Sequence, residues 1–225
     1  MKQTIVIFAN SVKYGEHCVA GKEIKSKKWI RPVSDSNGGA LTRSQAKCTN
    51  PHGTFCVKVL QIVEVGLQRR VPLVNQPENY LIDNTIWKQF FKLDPQNINP
   101  FLDHPNLLWE NLDSSSSGQN DKIAFKKIQL KQISISQSLY LIKPGNIMYH
   151  VISYKDKKRI RVSFNYNKVS YNLATTDPGV WSNFDEAEIG YVSNDKNESI
   201  LCISLGKPFT DGFCYKLVAS VIPTL

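Results

Sequence analysis

Four stretches of the chain bring together residue types able to bind an anion or stack on a flat ring. "FANSVKYGEHCVAG" (8–21) sets Asn10, Ser11, Lys13 and Tyr14 at the mouth of a hairpin, where turn chemistry alone asks for Asn and Gly but not for a lysine and a tyrosine. "KSKKWIRPVS" (25–34) is read as a strand in which Lys27, Trp29 and Arg31 share one face and Ile30 and Pro32 the other, with Ser34 just beyond. "YKDKKRIRVSFNYNKVSYNL" (154–173) repeats that chemistry: Arg159, Arg161 and Ser163 alternate with Ile160, Val162 and Phe164, and Tyr166, Lys168 and Tyr171 follow across a turn. "GKPFTDGFCYK" (206–216) returns Lys207 and Lys216 among aromatics near the chain's end. Lysine and arginine neutralise phosphates, and an aromatic or guanidinium plane accepts a stacked base, so these stretches suit a nucleic-acid backbone. The structural alternatives are a Trp29 that closes a core, an Arg31 paired with an acid, and lysines that blunt an edge strand.

Other chemistry has little support. "GKPF" lacks the upstream glycine and the Ser/Thr of a phosphate loop, and neither G-x-S-x-G nor H-E-x-x-H occurs. Asp177, in "TTDPG", is a candidate pocket acid, although an Asp-Pro turn has a structural use of its own. The five cysteines are odd in number and widely spaced, which argues against a secretory disulfide framework. Cys48, His52 and Cys56 lack the paired C-x-x-C spacing of a zinc site, and the cysteines are read as small apolar residues. No metal and no cofactor are expected, and no catalytic constellation stands out.

The elements that must position these residues are mostly strands. "TIVIFA", "HCVAG", "WIRPV" and "TFCVKVLQIVEVG" are apolar or alternating and β-branched. "DNTIWKQFFKLDP" begins with a cap-like cluster and spaces Ile86, Phe90 and Leu93 helically, and "NPFLDHPNLLWENL" reads as a second short helical piece. The polar run "DSSSSGQND" (113–121) reads as an exposed linker. Seven short strand candidates then follow to the end, as expected of a compact barrel. The expected architecture is mainly β: a first small β-barrel domain over 1–112 with a helical insert at about 82–112, a linker at 113–121, and a second small β-barrel domain over 122–225.

Net charge is +9, and it is uneven: residues 1–50 carry nine Lys/Arg against three Asp/Glu, and 113–171 carry eleven against three. Two basic blocks, one in each half, favour a polyanionic partner. No apolar run reaches membrane-spanning length, and the start reads as a strand, not a signal peptide, so a cytoplasmic location is expected.

"FANSVKYGEHCVAG", "WIRPVS", "QPEN" (76–79), "SLYLIKP" (138–144), "TTDP" and "ISLGKPFTDGFCYKLVASVI" together resemble the dual OB-containing domain family of prokaryotes, in the right order along nearly the whole chain. That resemblance implies two OB barrels in tandem and a nucleic-acid-binding or nucleic-acid-modifying role, in some members within defence against mobile elements. It carries family polar positions onto Asn10, Ser11, Lys13, Gly15, Arg31, Ser34, Asp177, Lys207 and Lys216. The expected function is binding of single-stranded DNA or RNA, with other proteins of a defence system as further partners. A nuclease or base-modifying enzyme with a pocket at the barrel rims, and a protein–protein adaptor, are the alternatives.

Overall fold

A computed structural model describes every residue except Tyr14, Asn111 and Leu225, and gives Lys13 a backbone only. The chain divides into two compact units, Met1–Phe101 and Leu102–Leu225.

The first unit holds β1 (Lys2–Lys13), β2 (Glu16–Glu23), β3 (Trp29–Val33), β4 (Lys47–Asn50), β5 (Gly53–Cys56), β6 (Gln61–Arg70), β7 (Asn79–Ile82) and β8 (Trp87–Lys92). Five of them close a ring in the order β1–β2–β3–β7–β6 and back to β1. Within it β3 and β7 run parallel, and the other ring pairings are antiparallel. This is the five-stranded Greek-key path of an OB barrel, and closure removes the edges that an open sheet would expose. The apolar positions of "TIVIF" and "IVEVGL" turn inward, so Ile5, Ile7, Val63, Val65 and Leu67 meet Val19, Ile30, Ile82 and Trp87 in one core. Gly21 lets β2 lie against β1, since a Cβ there would come within 2.3 Å of the Val6 carbonyl oxygen.

The second unit holds β9 (Lys122–Ala124), α1 (Phe125–Gln129), β10 (Leu139–Ile142), β11 (Gly145–Tyr154), β12 (Lys157–Tyr166), β13 (Val169–Thr175), α2 (Pro178–Asn183), β14 (Val192–Asn194), β15 (Ile200–Pro208) and β16 (Phe213–Ile222). Its sheet runs β10–β15–β16–β13–β12–β11–β14, with β13 and β16 parallel. The path β11–β12–β13–β16–β15 therefore repeats β1–β2–β3–β7–β6. Here β10 takes the outer edge of β15, and β14 that of β11. Interior positions Ile160, Val162, Phe164 and Tyr166 of β12 join Tyr171, Leu173, Leu201, Ile203 and Val218 in a core.

Two expectations are corrected. The 82–112 segment is not a helical insert: "WKQFFK" forms β8, antiparallel to β6 and parallel to β4, and among the described residues helix there is confined to two 3-10 turns at Pro95–Asn97 and Asn99–Phe101. The spacing of Ile86 and Phe90 fits a helix, but both stay exposed while Trp87 is buried at 1% exposure. The open backbone edge of β6 at 61–64, met by the aromatic residues Trp87, Phe90 and Phe91 of β8, outweighs the helical period. Nor is 113–121 a tether between domains. It bridges to Lys122 and to Asn172 in the second unit, and Asp121 is 2% exposed. Leu108 and Trp109, placed by sequence in the first domain, sit in the second unit's core.

Candidate nucleic-acid interface

In an OB barrel, ligands lie on the face of the second and third strands, flanked by the loop joining strands one and two and the loop joining four and five. In the second unit these loops are the β11–β12 turn and the β15–β16 turn. The first is a two-residue turn, Lys155–Asp156, closed by the Tyr154–Lys157 pair, with both turn residues in the left-handed region (φ 51° and 57°). That conformation matches the twist of the flanking strands, though Asn and Gly are its usual occupants. Around the turn, Tyr154 is 41% exposed, its ring is approached by the Lys155 ammonium at 5.7 Å, and Lys157 and Arg159 are exposed. Lys158 is committed elsewhere, donating to the Asp185 carbonyl at 2.6 Å.

The β15–β16 turn carries Phe209, 57% exposed, beside an exposed Lys207. Gly212 (φ 81°) and the bond from the Phe213 amide to the Asp211 carboxylate shape this turn. Tyr215 donates to Asp211 at 2.6 Å, and its ring meets Phe209 edge-on at 6.4 Å. Burial raises the Tyr215 pKa first, then its bond to and charge from Asp211, with Asp121 and the Tyr154 phenol adding to it. Both turns belong to the loops that flank the ligand face on the OB path. Strand β9 lays Lys122 opposite Tyr215, and its ammonium sits 4.1 Å from the Phe213 ring centroid. The result is a rim where exposed aromatics alternate with cations.

Other sequence-predicted residues prove structural. Trp29 is 6% exposed, packs edge-on against Phe8 at 6.1 Å, and offers no open face for a base. Arg31 is 8% exposed and its Nε lies 3.2 Å from Glu78. All five residues of β3 are buried, so the expected basic stripe is absent. Lys27 donates to the Ile24 carbonyl at 2.6 Å and lies 3.8 Å from the Phe101 ring centroid. Asn10 donates to the Val57 carbonyl and bonds His17 Nδ1, and Ser11 is buried. Ser34 is half-buried, its amide bound to the Gly39 carbonyl. The Lys13 side chain and Tyr14 lie outside the described residues.

In the second unit Arg161 is 6% exposed, and its guanidinium bonds Asp121 at 2.8 Å and the Asn172 side chain at 2.9 Å. Gly118 lies against this pair so closely that a Cβ would come within 2.0 Å of both partners' atoms. Tyr166 and Tyr171 are core residues, Tyr171 accepting from the Leu108 amide at 3.2 Å. Lys216 points inward at 1% exposure; burial lowers its pKa to about 8 against the pull of Asp121 and Asp113. Asp177 caps α2, accepting from Gly179, and also accepts from the Val221 amide. Burial raises its pKa, and these bonds to its carboxylate oppose that. Lys168 is exposed at the β12–β13 turn. Among the described residues, Arg159, Lys168 and Lys207 are thus the predicted contacts that stand exposed.

The strand path of both units and this rim fit one description. The dual OB-containing domain profile matches residues 3–221. The chain belongs to the dual OB-containing domain family. No curated protein and no solved structure matches it. As a family member it pairs two OB units; the second presents this rim, and the β1–β2 turn of the first falls partly outside the described residues. The aromatics at that rim, Tyr154 and Phe209, escaped the sequence reading, although both stand in stretches it singled out. Turn residues flanking strand ends, "YKDK" and "PFTDG", were the available signal. Among the described residues no cluster of three or more His, Cys, Asp or Glu is arranged to hold a metal, and no helix is long and apolar enough to cross a membrane.

Proposed function

We propose that this dual OB protein binds single-stranded nucleic acid, DNA or RNA, through the rim of its second unit. One observation carries the reading: Tyr154 and Phe209 stand exposed among Lys155, Lys157, Arg159 and Lys207, at the two turns that flank the ligand face of OB barrels. The lysines and Arg159 take phosphates, and the rings take unstacked bases, a combination that tolerates sequence because every base has a π-face. Lys122 and Lys126 extend the positive field along β9 and α1. The family resemblance supplies a setting: prokaryotic defence against mobile elements, in the cytoplasm, alongside other proteins of such a system.

The test is fluorescence anisotropy with single-stranded DNA, single-stranded RNA and duplex across a salt series. Each phosphate contact contributes about −0.7 to the log–log salt slope for single strands, so Lys155→Ala/Lys157→Ala/Arg159→Ala should flatten it by about two. Tyr154→Ala should weaken single strands by about 1–3 kcal/mol and duplex far less. Binding whose slope is untouched by the triple variant defeats this assignment.

A further inference from the structure

At the other end of the β11–β12 hairpin from the rim lies a groove of about 810 Å³, large enough for one nucleoside. Its polar walls are carboxamides and hydroxyls, Gln119, Asn146, Asn165, Asn194, Ser163 and Ser170, and Pro144 and Met148 are among the apolar residues that complete it. Its charged residues are Lys143, Asp195, Lys196 and Glu198, and Lys196 is exposed. Lys143 pairs with Glu198 at 3.2 Å, and the Asp195 carboxylate accepts from the Ser199 amide, the Ser199 hydroxyl and the Tyr149 hydroxyl. A groove of that kind recognises a neutral ligand by paired donors and acceptors, where the rim recognises charge.

Two local features aim the amides. The β11–β12 register shifts between Gly145 and Met148, and Asn146 stands within that bulge at φ 53°. Bulges re-aim side chains beside binding sites, and Asn tolerates the left-handed region. Asn165 accepts from the Ser170 hydroxyl at 2.8 Å through its Oδ1, which leaves its amide hydrogens to donate elsewhere. Ser163 is fixed by His150 Nε2 at 2.7 Å. Burial and then Arg161 lower the His150 pKa, so the imidazole adds no positive charge near neutrality.

We infer that this groove receives an unpaired adenine base. Asn and Gln match the amino group and ring nitrogen of adenine with a donor and an acceptor together, whereas guanine calls for Arg or Lys and cytosine for Asp or Glu. The groove's Lys143 is held by Glu198 and its Asp195 by Ser199 and Tyr149, so four carboxamides stand against one further cation, Lys196, and outnumber it as readers. The inference rests on the proposed binding of nucleic acid and gives it a preference: phosphates at the rim, and a base read from Asn165, roughly 20 Å along β12 from Arg159.

Free nucleosides test the groove without the rim, since they carry no phosphate. Adenosine, guanosine, cytidine, uridine and a neutral disaccharide are titrated into the whole protein, with amide NMR signals as the readout. Adenosine should shift the side-chain amides of Asn146, Asn165 and Asn194 saturably, at least tenfold more tightly than the other nucleosides. Asn146→Ala/Asn194→Ala should cost tenfold or more. Gly145→Leu should abolish the shifts: a Cβ at Gly145 meets no atom within 4 Å, so the added side chain fills space and displaces nothing. No shift, equal shifts by all nucleosides, or shifts by the disaccharide alone overturn the inference. Oligonucleotide binding with a full salt slope but no adenine preference also overturns it and leaves the rim standing. Adenosine binding without any oligonucleotide binding supports the groove and removes the rim.

Discussion

Segments 25–34 and 154–161 look alike in sequence, each a run of lysines leading into an aromatic or apolar residue and an arginine, and the two units use them in opposite ways. In the first unit the run becomes packing: Trp29 lies under the Lys22 ammonium at 5.0 Å, Lys22 donates to the Phe101 carbonyl at 2.7 Å, and Arg31 meets Glu78. In the second, Arg161 is similarly consumed by Asp121, but Tyr154, Lys155, Lys157 and Arg159, at and beside a tight turn, remain exposed to water. A basic, aromatic segment inside a strand is absorbed by the fold, and the same composition at a hairpin tip stays available. Position relative to the turn decides its use.

The largest expected effects come from breaking the absorbed contacts. Asp121→Ala leaves a buried guanidinium unpaired and should destabilise the second unit by about 3–5 kcal/mol. Hydrogen exchange should show lost protection in β12 and β13 with β1 and β6 unchanged. Trp29→Ala should cost the first unit about 3–5 kcal/mol and leave the nucleic-acid salt slope as it was. If Trp29→Ala flattened that slope at full stability, the contrast between the two segments would collapse.

Next in size is Lys216→Met. The folded pKa of Lys216, about 8, lies below its ordinary value of 10.5. Between those values the unfolded chain holds a proton that the folded one has shed, so stability from this group rises with pH across that window and is lowest below it. Removing the charge should stabilise the second unit at pH 7 by up to about 3 kcal/mol, and the gain should vanish toward pH 10.5. Paired denaturation curves at pH 7 and pH 10 measure it, and the difference between variant and wild type isolates Lys216 from the buried thiols and phenols that titrate in the same range.

The sequence was legible where periodicity and order along the chain carried the information. Most strands of both units, the family and two basic blocks could be read from it, but β7, which completes the ring of the first unit, was not among the strands expected. It was not legible where identical residues have two possible environments. Arg161 and Arg159 sit two apart on one face of one strand; one is sealed by Asp121 and Gly118, the other open, and only the course of 113–121 separates them. That segment reads as solvent-exposed because it is rich in Ser and Gly, yet the Ser115 hydroxyl and amide bind Asp121 and the Asn120 side chain binds the Ser170 carbonyl. The β8 error has a similar source, since a strand added to a free edge answers to its neighbour more than to its own period.

The smallest effect tests the rim most finely. Lys155 holds a left-handed conformation that Asn adopts more readily, and the turn has no glycine to relieve it. If stability alone selected this position, Asn would be the better residue. Lys155→Asn should therefore stabilise the β11–β12 hairpin by about 0.5–1 kcal/mol while removing one cation from the rim. The matched measurement is a melting temperature beside a salt titration on one single-stranded oligonucleotide. A higher melting point with a slope flattened by about 0.7 would mean that the lysine is kept at a cost in stability for what it contacts. A higher melting point with an unchanged slope would place the phosphates elsewhere and return this turn to the same structural role that 25–34 plays in the first unit.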